Sequence, residues 1–199
     1  MKKKIIKICI FVLAVTAIAG GVRYLGRVTG IAWTVRKTDV YEQYFGANGE
    51  HRVNGLLKNE IFPESIPESA KIEKFVYRHE DLMDPSDAAI LVYTCNEEDY
   101  KVEMSRLAEL GTKEEDAYDV YGITGFPYEV VAVKADSVYG VIYAMTEPDV
   151  RRIIYVENTY CNYFSDINYE RYIGQRYLPK GYNAKPGNPV REAFDAKMR

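Results

Sequence analysis

The sequence predicts an α+β protein, with an antiparallel sheet of about five strands, one main helix packed on a face, and a membrane segment in front. Three observations carry this. Residues 88–95 (Ala-Ala-Ile-Leu-Val-Tyr-Thr-Cys) form an unbroken apolar run of strand length, so the strand is buried on both faces. Residues 97–110 carry a helical pattern directly after it. Three further apolar runs between 128 and 160 are separated by short turn signals, as in a meander.

For the helix, Asn96 supplies an N-cap, and Glu97, Glu98 and Asp99 put negative charge at the positive end of the helix dipole. Tyr100, Met104, Leu107 and Ala108 fall on one face, and Gly111 stands where the chain must turn out of the helix.

In the meander, 128–135 and 138–145 are joined at Asp136-Ser137, and 150–160 follows Glu147-Pro148-Asp149. With a two-residue first loop, Ala135 opposes Val138 and Val131 opposes Ile142. With Met145 opposite Val150, Tyr143 lies beside Arg152. One face then holds Val130, Ala132, Tyr139, Val141, Tyr143, Ile154 and Val156. The other holds Val131, Val133, Val138, Gly140, Ile142, Ile153 and Tyr155, with Gly140 leaving room for the Tyr155 ring. Both faces need cover: helix 97–110 for one, the N-terminal lead-in and C-terminal segment as candidates for the other.

Upstream, residues 71–79 read as a strand with Phe75 and Tyr77 on one face and Ile72 and Val76 on the other. Residues 80–87 read as a polar loop, and 121–127 as a glycine-punctuated edge strand. Phe62-Pro63-Glu64-Ser65-Ile66-Pro67 is an extended entry whose Phe62 and Ile66 dock on the core. The expected organisation is 1–23 signal peptide or membrane anchor, 24–59 stalk and lead-in with a short helix after Asp39, 60–178 the domain, and 179–199 a loosely ordered tail. A short helix capped by Ser165 opens the C-terminal segment.

Lys2, Lys3, Lys4 and Lys7 precede an uncharged stretch, 8–22, that is near the lower limit for a span when extended back to Ile5. Ala17-Ile18-Ala19 has the form of a signal-peptidase site; an uncleaved anchor is the favoured reading, with the lysines cytoplasmic. The expected location is the cell membrane with an extracytoplasmic domain, or secretion if the segment is cleaved. Such a compartment permits a disulfide between Cys95 and Cys161, but two free thiols is the preferred reading.

The chain carries 26 basic and 29 acidic residues; without the four leading lysines the balance is 22 to 29, or −7. An acidic body without a basic stripe excludes a nucleic-acid partner. Tyrosine is abundant, 18 residues against 7 Phe and 1 Trp, and is read first as cover for sheet faces.

No P-loop, dinucleotide fingerprint, nucleophile elbow or zinc motif is present, so no cofactor or metal is assigned and the catalytic residues are unknown. The two histidines, His51 and His79, sit in no metal or protease motif. Arg78-His79-Glu80-Asp81 with Asp84 and Asp87 is the only cluster with cation-binding character. It lacks the spacing of an EF-hand and reads as solvated acidic surface. No carboxylate pair stands out in an apolar setting.

The basic-apolar start, the 62–67 entry and the strand leading into an acid-rich helix resemble uncharacterised exported or membrane-anchored domains of Gram-positive bacteria. The likeness covers 61–110 and implies a setting rather than an activity. The expected function is a non-enzymatic, membrane-anchored extracytoplasmic module binding a protein or envelope component through tyrosine-rich surface. The alternative is an envelope-associated hydrolase using acidic residues near His79.

Overall fold

The computed structural model describes residues 31–81, 84–114 and 117–198, so the expected signal or membrane segment lies outside the described residues. Among these, no helix is long and apolar enough to cross a membrane. The architecture is α+β. Strands β1 (Ala32–Val35), β2 (Lys71–Glu80), β3 (Ser86–Thr94), β4 (Thr112–Glu114), β5 (Glu129–Asp136), β6 (Gly140–Glu147) and β7 (Arg152–Tyr160) form one sheet in the order β1-β2-β3-β7-β6-β5-β4. Six strands run antiparallel to their neighbours, and β4 lies parallel to β5 at the edge.

β3 is interior, as its apolar run demands; every residue but Thr94 is buried. Helix α3 (Glu97–Leu110) follows, and the Asn96 side chain accepts from the Asp99 amide at 2.8 Å. Gly111 leaves the helix at φ +64°, which only glycine adopts without strain. Tyr100, Met104 and Leu107 face the core; Ala108 is exposed and Leu110 takes its expected place.

The sheet is covered on both faces. One carries Val76, Ile90, Val92, Val133, Val141, Tyr143, Ile154 and Val156 beneath the C-terminal segment. There Ile167, Tyr169 and Ile173 (of α5, Tyr169–Ile173), Tyr177 and Leu178 are buried, with Tyr121 of α4 (Ala117–Tyr121). The other carries Phe75, Tyr77, Leu91, Tyr93, Ile142, Ile153 and Tyr155. It is covered jointly by α3 and by the segment holding α1 (Tyr41–Phe45) and α2 (Glu50–Asn54).

Two parts of the expected organisation change. The described part of the supposed stalk is structural: β1 pairs with β2, and Tyr41, Phe45 and Leu57 are buried, alongside the expected docking of Phe62. The tail is equally engaged. It holds α6 (Pro189–Met198), whose Phe194 packs on the core, and buried Asn188 donates to the carbonyls of Val120 and Asn183 at 2.9 and 2.7 Å. Turn-forming residues in both segments hide apolar anchors too widely spaced to show a period. The edge strand lies at 112–114, and 121–127 contributes only an isolated bridge, Gly125 to Lys180.

The meander forms with different registers. Tyr143 opposes Val156 rather than Arg152, an even slip that preserves the faces of β6 and β7. Lys134 rather than Val131 opposes Ile142, an odd slip that exchanges Ala132 and Val133; a bulge between Val130 and Ala132 returns Val130 and Val131 to their expected faces. The turn after β5 is longer than two residues because Gly140, at φ +104°, packs on the next strand. A Cβ there would lie 2.2 Å from the Asn158 carbonyl oxygen, so Gly140 makes room for backbone and not for the Tyr155 ring. Cys95 and Cys161 are free thiols at opposite ends of β7, beside Arg151 and Pro85. A nine-residue strand puts them roughly 30 Å apart, out of disulfide reach.

Candidate functional site

Three residues of the predicted polar loop, Glu80, Ser86 and Asp87, lie in strands instead. Glu80 ends β2, Ser86 and Asp87 begin β3, and Asp87 is only 3% exposed. Its carboxylate is buried because the ladder places it between His79 on β2 and Thr159 on β7. Such a charge needs partners, and these form a continuous relay on the α1–α2 side of the sheet. Asp87 Oδ1 accepts from His79 Nδ1 at 2.8 Å and from the Tyr77 hydroxyl at 2.9 Å. Tyr77 Oη meets His51 Nδ1 at 3.0 Å, and His51 Nε2 meets Glu157 Oε1 at 2.9 Å. Glu157, wholly buried, also accepts from Asn59 Nδ2 at 2.6 Å and Thr159 Oγ1 at 2.9 Å. The Trp33 indole closes the outer end, its centroid 4.1 Å from the His79 ring.

Protonation follows from this geometry. Burial by itself lowers the His51 pKa. The Glu157 carboxylate, by charge and hydrogen bond, and then the charge of Asp87 outweigh burial and raise it to about 9. His51 is therefore an imidazolium at neutral pH, donating through Nε2 to Glu157 and through Nδ1 to Tyr77, which donates onward to Asp87. Burial, reinforced by Asp87, holds the Tyr77 hydroxyl well above its ordinary pKa, so it stays protonated.

Helix α2 has a second side. His51 faces the relay, while Arg52 and Val53 line an open cleft of about 910 Å³ together with Ala47, Lys58, Glu60, Pro63, Glu64, Glu103, Arg106 and Leu110. Arg52 pins the cleft wall by donating from Nε to Phe45 O at 2.7 Å, and from its terminal nitrogens to Asn59 O and Phe62 O, both at 2.6 Å. Arg106 of α3 does the same from the other wall, reaching Glu60 O at 2.8 Å and Ile61 O at 2.6 Å while pairing with Glu103. Glu103 also accepts from Tyr155, whose oxygen lies 3.0 Å from that of Tyr93, so the cleft floor connects to the tyrosines of the core.

Of the residues singled out in the sequence, His51, His79 and Asp87 come together. The exposed Asp81 and the half-buried Asp84 belong to neither relay nor cleft, and Glu80 pairs with Arg78. Among the described residues, no group of three His, Cys, Asp or Glu side chains could hold a metal ion. Glu157, Tyr77 and Asn59 escaped the sequence reading because they join residues up to 106 positions apart. The available signal was Glu157 itself, a carboxylate that directly follows the apolar run 153–156 within the same predicted strand. The tyrosines mostly cover the two sheet faces, as their first reading had it. Among the described residues nine tyrosines are buried, and Tyr139 and Tyr163 are exposed.

Compared with known proteins, the chain matches no family model, no curated protein and no solved structure.

Proposed function

We propose that the protein is a non-enzymatic extracytoplasmic module, held at the membrane by its N-terminal segment, that binds a protein or cell-envelope component through the cleft between α2 and α3. The observation that carries this is the cleft's construction. Two arginines fix its walls to backbone carbonyls, so a concave, mixed polar and apolar surface is presented in one geometry. The lysine-rich, apolar start supports the location. The test is crosslinked capture from membranes with the intact chain. Val53, 64% exposed in the cleft, and Val190, 42% exposed on α6, are each replaced by Asp. Specific capture should be lost with Val53→Asp and retained with Val190→Asp; equal capture by both removes the cleft from the proposal.

A second reading rests on the His79–Asp87 pair, in which a carboxylate orients an imidazole as it does for a general base. On that reading the protein is an envelope hydrolase. His79→Ala should then abolish hydrolysis of cell-envelope substrates while the fold is retained; unchanged hydrolysis would exclude it.

A further inference from the structure

The charges lining the cleft do not balance pair by pair. Lys58 meets Glu60 at 2.7 Å and Arg106 meets Glu103 at 2.5 Å. Half-buried Arg52 forms no ion pair within 4 Å among the described residues; Glu64 acts on it from across the cleft by charge alone. Burial holds the Arg52 pKa below the ordinary arginine value, so its cation is short of solvation. A guanidinium has five N–H donors, of which three go to the carbonyls of Phe45, Asn59 and Phe62. One donor is left on each terminal nitrogen, and a carboxylate is the ligand group that can accept from both. The same cleft is lined by the apolar side chains of Ala47, Val53, Pro63 and Leu110.

We propose that the cleft receives a peptide carboxylate next to an apolar side chain, the carboxylate on the two remaining Arg52 donors and the apolar group against Val53 and Leu110. This rests on the binding-module reading and gives its partner a chemistry. Glu64 disfavours densely anionic ligands, so the partner presents a single carboxylate. That carboxylate is either a chain terminus or an acidic side chain.

The experiment is a titration followed by amide and arginine Nε–H NMR signals. The probes are N-acetylleucine for a terminal carboxylate, N-acetylglutamyl-leucinamide for a side-chain carboxylate, N-acetylleucinamide as the neutral match, and inorganic phosphate. At least one carboxylate probe should move the Arg52 Nε–H and the Val53 and Leu110 amides saturably, and which one does so identifies the source. The neutral match should bind about tenfold more weakly or worse. Glu64→Gln should tighten binding by about twofold, and Val53→Asp should abolish it. Equal response to the neutral match, tighter binding of phosphate, or unchanged binding by Val53→Asp overturns the proposal. Should membrane capture be lost on Val53→Asp while neither carboxylate probe binds, the module reading stands and this chemistry falls. Probe binding without any cleft-dependent capture has the opposite meaning.

Discussion

Removing the charge of His51 should weaken the fold, and titration does this without changing a residue. In the folded chain its pKa is raised from 6.5 to about 9. The folded state therefore binds the proton more tightly than the unfolded one between those values, and stability falls as pH rises across them. The stabilisation is fully present below pH 6.5 and is lost as pH passes through about 9. At about 1.4 kcal/mol per pKa unit, the difference corresponds to about 3 kcal/mol. His51 is 4% exposed, so solvent screening takes little from that figure. Lysines, tyrosines and thiols titrate at the upper end of the window, so the parent should be compared with His51→Gln. The gap between their denaturation free energies should shrink by about 3 kcal/mol from pH 6 to pH 10. A gap independent of pH would refute the relay as drawn, as would an imidazole NMR titration with its midpoint at or below 6.5.

Leu91→Ala should cost about 2–4 kcal/mol, since the side chain is wholly buried in a strand covered on both faces; Lys185→Ala, in an exposed ion pair with Glu170, should stay within about 0.5 kcal/mol. Denaturant midpoints check both, and equal values would place Leu91 outside the core. Asp87→Asn should cost about 2 kcal/mol or more, because His79 and Tyr77 lose a charged acceptor, whereas exposed Asp81→Asn should be neutral. Calcium or zinc should leave the melting temperature of the parent unchanged, and a rise abolished by Asp87→Asn would establish a cation site. Tyr143→Ala should cost about 3–5 kcal/mol and Tyr139→Ala less than about 1 kcal/mol, because only the former is buried. Thermal melts showing comparable losses would contradict the burial of Tyr143.

Local signals carried most of the architecture. A doubly buried strand must be apolar throughout, so β3 announced itself, and the Asn96 cap and Gly111 exit bounded α3 by short-range chemistry. Register was harder, because it depends on a turn length that sequence gives only within a few residues. The even slip at β6–β7 left every side chain on its expected face, and the odd slip at β5–β6 did not. The short helix after Asp39 is α1, but its docking, and helices α2 and α6 altogether, went unread because they depend on tertiary contacts. Phe45, for instance, stacks on Phe62 at 4.8 Å, and Asn188 is held by backbone carbonyls. The relay was the least legible feature. A polar residue at a strand end has the same local signature whether it meets solvent or a buried partner, and what distinguishes Asp87 from Asp81 is the strand beside it.

The relay and the cleft are not independent, because α2 is only five residues long and serves both. A helix that short has almost no stability of its own. Its position comes from the bonds of His51 and Arg52 and from the packing of Phe45, Leu57 and Phe62 on either side. Asn59 joins the two systems through different atoms, its side chain donating to Glu157 and its carbonyl accepting from Arg52. A well-packed apolar replacement of a buried charged network is often no less stable. The distinctive physical effect of this relay is therefore directional: hydrogen bonds fix the rotation of α2 about its axis, which apolar packing leaves looser. That rotation decides whether Arg52 and Val53 face the cleft. The charged interior and the proposed binding surface are in this sense two sides of one short helix.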